Sequence, residues 1–119
     1  MTTPTLTKNF NSGAAVAPHR FVKHGSSDEA AIQAAGATDL IMGTSDELGA
    51  EASGESLDVH HTGVAYVEFG GTITRGQQVT SDANGKAVVA AAGNRTGGIA
   101  MTSGVSGDIC PVLLAPGTV

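Results

Sequence analysis

The sequence predicts a mainly β chain: a small antiparallel β-barrel or sandwich-like domain with at most one short helix, around residues 27–35, and an extended N-terminal arm. Three observations carry that expectation. Glycine supplies 17 of 119 residues, about twice its usual share, and short apolar runs repeatedly stop at it, so turns rather than helices punctuate the chain. Aromatic residues are 3% of the chain and Trp is absent, against 40% hydrophobic residues. The core must therefore come from Val, Ile, Leu, Ala and Met. Residues 64–89 condense the whole pattern. An apolar run ends at Gly70-Gly71, Thr72-Ile73-Thr74 resumes it, Arg75-Gly76 breaks it again, and Asn84-Gly85 separates two further β-rich runs. Asn-Gly in that setting signals a type I′ hairpin, because both residues tolerate positive φ.

The length suits one domain, read as an arm over residues 1–18 followed by a compact β domain over residues 19–119. The first segment is rich in Thr, Asn and Ala and shows no sustained period. It fits either a flexible tail or an arm that orders against a partner, and Leu6 and Phe10 are its sizeable apolar groups. Residues 20–23 read as a first strand. Residues 26–36 could form a two-turn helix, with Ser26 and Glu29 as a capping box and Gly36 as a stop, or stay extended. Residues 39–42 read as a strand ended by Gly43-Thr44-Ser45, and residues 46–53 as an acidic exposed loop.

Residues 56–61 alternate, with Leu57, Val59 and His61 on one face and Asp58 and His60 on the other. Gly63 punctuates that strand. In the next one Ala65, Val67 and Phe69 form the better core face, opposite Val64, Tyr66 and Glu68. Strands over residues 86–92 and 98–101 follow, with residues 93–97 as a loop. The last strand, residues 109–114, is apolar on both faces, so both are expected to be buried, one of them against another subunit. Cys110, Val112 and Leu114 are the interface candidates, and Pro111 calls for an edge or a bulge. Ser53-Gly54-Glu55, Arg75-Gly76-Gln77 and Ser106-Gly107-Asp108 share one pattern, a turn entering a strand. Gly54, Gly76, Asn84, Gly85 and Gly107 are thus structural turn residues.

Little in the chain points to bond-making. Cys110 is the single cysteine, which rules out an intrachain disulfide, and its apolar setting marks a packed thiol. His60 and His61 are neighbours on a strand and point to opposite faces, so they do not share a metal ion. The carboxylates of residues 46–55 lack accompanying aromatics for sugar stacking. Nucleophile-elbow, Walker A and dinucleotide-binding patterns are absent. No catalytic residue, cofactor or metal is expected. The net charge is −5 and the six basic residues are scattered, which argues against direct nucleic-acid binding. No apolar run approaches about 18 residues, so no membrane span is expected, and no signal peptide is visible.

The order of motifs through the second half resembles the small bacteriophage capsid decoration proteins, also called capsid cement or head-stabilising proteins. The motifs are Gly63-Val64-Ala65, Ile73-Thr74-Arg75-Gly76-Gln77-Gln78-Val79, Asp82-Ala83-Asn84-Gly85-Lys86-Ala87, Gly98-Ile99-Ala100, Ser106-Gly107-Asp108-Ile109 and Val112-Leu113-Leu114, with Gly43 and Ser53-Gly54-Glu55 fitting more loosely. The resemblance implies a non-enzymatic virion protein, made in the host bacterial cytoplasm and located on the outer capsid surface. Its partners would be the major capsid protein and itself, as a homotrimer. Thr5, Leu6, Thr7 and Phe10 are the candidate capsid contacts of the arm. Two other readings compete: a head-fibre, tail or host-glycan-binding module, and a cofactor-carrying domain modified at Lys86.

Overall fold

The computed structural model describes residues 3–119, with side chains from Leu6 onward, and among these residues every regular element is a strand. In order they are β1 (Thr3–Ser12), β2 (Phe21–His24), β3 (Ala30–Gln33), β4 (Gly43–Ser45), β5 (Ser56–Glu68), β6 (Gln78–Ser81), β7 (Ala87–Val89), β8 (Arg95–Ala100) and β9 (Ile109–Thr118). They form one sheet in the order β1-β3-β2-β4-β5-β9-β8-β6-β7, and β1 also pairs with β5. That extra pairing closes β1, β3, β2, β4 and β5 into a five-stranded barrel. The remaining strands curl from the far half of β5 and return to its end. There Phe69 bridges Ala87, and the Gly70 N–H donates to the Ala87 carbonyl at 2.7 Å.

β5 is the shared wall. Leu57 and Val59 face the core of the barrel with Phe10, Val16, Val22, Ala31 and Ala50. Ala65, Val67 and the following Phe69 face a second core with Phe21, Ile73, Val79, Cys110, Val112 and Leu114. All five are at most 1% exposed, so the alternation read from the sequence gives the correct faces. Gly63 bends the strand rather than ending it. Its φ is +90°, and β1 carries a register shift opposite, between Pro4 and Leu6, the signature of a bulge.

Residues 26–36 are not helical. Gly25 donates to Ala30 O at 2.8 Å and Ala30 to Ser27 O at 3.1 Å, which makes a hairpin turn. β3 then pairs antiparallel with β2 and parallel with β1. A two-turn helix has little stability of its own, and the strand buries Ala30 and Ala31 in the barrel. The strand expected at 39–42 forms one step later, as β4, where Thr44 pairs with both Phe21 and His60.

The Asn84-Gly85 hairpin exists, but not as type I′. Only Gly85 has positive φ (+74°). The Asp82 N–H bonds to Lys86 O, and Asp82 Oδ1 accepts the N–H groups of Asn84 and Lys86 at 2.8 and 3.0 Å. A three-residue loop with glycine in the left-handed position results. The Gly-polar turns share one closed geometry. Gln77 donates its N–H to Thr74 O and takes the Thr74 N–H on Oε1; Asp108 does the same with Val105. Asn94 and Ala91 make a further such turn inside the segment expected as a loop. At Gly54 the variation is one residue wider, with Glu55 accepting from Glu51.

Gly63→Ala is expected to cost about 1–2 kcal/mol, because a Cβ is disfavoured at this left-handed φ. Gly36→Ala, at an open position without positive φ, serves as the control and should change stability by less than about 0.5 kcal/mol. Denaturant unfolding of the two variants checks the difference.

Candidate functional surface

Among the described residues no group of three or more His, Cys, Asp or Glu side chains is placed to hold a metal ion; the sites expected from the sequence are surfaces. The final strand shows this first. Cys110, Val112 and Leu114, expected at a subunit interface, pack inside the second core. The outward residues are Ile109 and Leu113, 47% and 40% exposed. Alternation was legible in this strand, but with apolar residues on both faces its inward sense was not.

The outward residues are continued by their neighbours. Leu113 stands between Val64 of β5 and Ile99 of β8, and Pro111 is paired with Tyr66. Met101 donates its N–H to Pro111 O at 3.0 Å. Val64, Tyr66, Ile99, Met101, Pro111 and Leu113 thus form a contiguous, mostly apolar outer face. Pro111 sits in an interior strand rather than at an edge. Its carbonyl faces β8, and in an extended strand the nitrogen faces the same way. The missing donor therefore faces Met101, one residue beyond the end of β8, so the one reciprocal bond it forfeits lies where the ladder already ends.

The arm residues divide. Phe10 is 3% exposed. Its ring lies 6.1 Å from that of His24 and 5.7 Å from that of His61, with Lys8 Nζ 4.9 Å from its centroid. Thr7 Oγ1 lies 2.9 Å from His60 Nδ1, and Asn9 donates to Ser56 and Asp58. Leu6 is left outside, 54% exposed. The side chain of Thr5 lies outside the described residues. Residues 3–12 are thus a strand of the barrel, anchored by Phe10 and presenting Leu6 outward.

A clamp ties the two cores together. Glu68 Oε1 accepts from Arg20 Nη2 at 3.1 Å and Glu68 Oε2 from Lys86 Nζ at 3.2 Å, while Arg20 Nη1 also donates to Asn84 O. Burial by itself would raise the Glu68 carboxyl. The hydrogen bonds and charges of Lys86 and Arg20 outweigh it and hold the group below its ordinary value of 4.5.

Charge is divided between the ends of the chain. Residues 1–60 carry eight acidic and three basic side chains, net −5; residues 61–119 carry three of each, net zero. The ion pairs among the described residues use Asp39 and Glu68. Asp28, Glu29, Asp46, Glu47, Glu51, Glu55 and Asp58, all in or beside the barrel, enter none of them. The apolar outer face of β5, β8 and β9 belongs to the neutral half.

The family model for phage cement proteins matches residues 2–114. Among solved structures, the N base of the head fiber gp8.5 in bacteriophage phi29 is similar, at 14% identity and a TM-score of 0.75. The match covers 96% of this chain and 97% of that one. At that identity the likeness is one of fold. No curated protein sequence matches the chain.

Two outcomes test this layout. Leu114→Ala should cost about 2–5 kcal/mol by opening a cavity, whereas Leu113→Ala should cost less than about 0.5 kcal/mol; thermal or denaturant melts separate them. A depressed Glu68 value means the clamp adds stability above the unfolded value near 4.5. That contribution, about 1 kcal/mol or less for a partly exposed pair, is lost as pH falls through the lower folded value. Glu68→Gln should therefore flatten the acid limb of a stability–pH curve.

Proposed function

The chain belongs to the phage cement protein family, a class of phage virion structural proteins, and from that membership and the surfaces just described we propose that it binds the outer face of the assembled capsid. There it contacts the major capsid protein and stabilises that lattice without catalysing a reaction. The observation that carries the reading is the family match over nearly the whole chain. The architecture supports it: two rigid β cores sharing a wall offer surface rather than a catalytic cleft.

The stabilisation is one of mass action. A protein that binds the assembled shell but not its dissociated subunits adds RT ln(1 + [L]/Kd) per site, and many sites act together. Copies meet one another as a homotrimer through the neutral face around Leu113, where no charge opposes association. The acidic barrel, with Leu6 and Thr7 on its first strand, faces the shell. Made in the host cytoplasm, the protein resides on the outer virion surface.

A second reading is favoured by the fold it shares with the phi29 head-fiber base, namely that the domain roots a longer appendage on the capsid. Cryo-electron microscopy of decorated capsids separates the two. Under the cement reading, density stays within a body about the size of this domain, whose longest extent is 35 Å; a projecting shaft supports the base reading.

Purified protein added to capsids that lack it should bind and raise their melting temperature, read by calorimetry. Absence of binding, or binding with unchanged melting, would sink the cement reading. Removing residues 1–10 is a poor probe of the arm, since it takes Phe10 from the barrel core. Leu6→Ala combined with Thr7→Ala leaves that anchor in place, and it should weaken capsid binding with little change in the melting of the free protein.

A further inference from the structure

Among the described residues the most exposed large apolar side chain, Leu48, is 78% exposed, and its backbone is tied at several points. Asp46 is itself buried, and its Oδ1 accepts the N–H groups of both Leu48 and Gly49 at 3.0 Å. This is an Asx turn, in which a side chain fixes the backbone ahead of it. The His19 N–H binds Asp46 O at 3.2 Å from behind. On the other side Ala50 and Val16 exchange both backbone hydrogen bonds at 2.8 Å. Gly49, at φ +60°, lies so close that a Cβ would sit 2.4 Å from Val16 O. The turn is therefore fixed at both ends while its tip points to solvent.

Beside Leu48 runs an open groove of about 520 Å³ whose walls include Ala15, Ala17, Pro18 and Ala50, with Glu51 at its rim. The polar group nearest its floor is already used, since Gln33 Oε1 accepts the Ala17 N–H at 3.0 Å. Glu47 adjoins the knob in sequence, Glu51 lines the groove, and Glu55 accepts the Glu51 N–H; all three are exposed and enter none of the ion pairs among the described residues. An apolar knob, an apolar groove and unpaired carboxylates on one rigid loop describe a complementary surface: an apolar residue for the groove, a socket for Leu48, and Lys or Arg around them. A second copy docking barrel to barrel is disfavoured, because it would bring net −5 against net −5, and the neutral half of a copy offers no basic groups in excess for the carboxylates.

We infer that the Leu48 knob and its groove are the grip on the shell, and that they take a basic, apolar-tipped segment of the shell protein. The inference rests on the reading of the chain as a shell-binding protein and names the residues and the partner chemistry that do the binding. Burying Leu48 supplies the affinity, and the carboxylates supply register and on-rate.

The test uses the full chain and capsids lacking it, with binding measured at 50 and 500 mM NaCl. Leu48→Ala should weaken per-site binding by about tenfold or more, and its melting in free solution should match wild type. A triple variant, Glu47→Gln with Glu51→Gln and Glu55→Gln, should bind more weakly at low salt and lose most of the salt dependence. Val105→Ala, an exposed site in the neutral half, should bind as wild type does. If wild type binds capsids and Leu48→Ala binds equally well, the grip is elsewhere and this inference falls while the cement reading stands. If Leu48→Ala instead abolishes self-association in sedimentation, the occupant is a second copy and the inference also falls. If wild type itself fails to bind capsids, the functional reading falls first and carries this one with it.

Discussion

One strand serves two cores, and the rest of the molecule follows from that constraint. Leu57 and Val59 point into the barrel, Ala65 and Val67 into the second core, and all four occupy alternate positions of β5. A strand of 13 residues can do this only if it changes direction between the two sets, which is the role of Gly63. Everything else is attached to this wall: β4 and β1 along its first part, β9 along its second, and β7 at its end. The Glu68 clamp, at the last residue of β5, then locks Arg20 from the barrel side to Lys86 from the other.

Sharing a wall also separates surface chemistry. The barrel carries the whole net charge of the chain, while the other half is neutral and shows an apolar face built in register across β5, β9 and β8. Under the proposed function the chain has two kinds of neighbour, the shell and other copies of itself. A net −5 end and a neutral apolar end suit the two differently. Like charges keep copies from associating barrel to barrel, whereas association through the neutral face costs no charge repulsion. In this way the asymmetry favours association of copies through the neutral face over association through the barrel.

Much of this was legible in the residues where local chemistry and tertiary demand agree. The faces of β5 follow from simple alternation, and the Gly-polar turns follow from the need for positive φ beside a side chain that can cap its own turn. Gly93-Asn94 carries the same signal and could have been read with the others. The misreadings fall where local preference lost to packing. Ser26, Glu29 and Gly36 spell a helix, but two alanines and an isoleucine within a barrel wall are worth more as a strand. The inward face of β9 was ambiguous because Ile109 and Leu113 are as apolar as Val112 and Leu114. Leu48 was hidden inside a stretch read only as acidic loop, since nothing in its neighbours reveals that Asp46 fixes the turn.

The pairing of β1 with β5 also sets how this protein must fold. Thr7 meets His60 at a sequence separation of 53, and β5 in turn waits for β9 at the far end of the sequence. Nearly every ladder that matters is long-range, and no helix forms early to shorten the search. Chains of this topology cross their folding barrier slowly, because loop entropy is lost before the contacts form. On the ribosome, all five barrel strands are present once β5 has emerged, yet residues 64–68 wait for their ladder partner β9 until the last strand is made. During that interval Ala65, Val67 and Phe69 lack the part of their core that Cys110, Val112 and Leu114 supply. The stage at which this core is least covered, and the aggregation hazard greatest, is therefore translation.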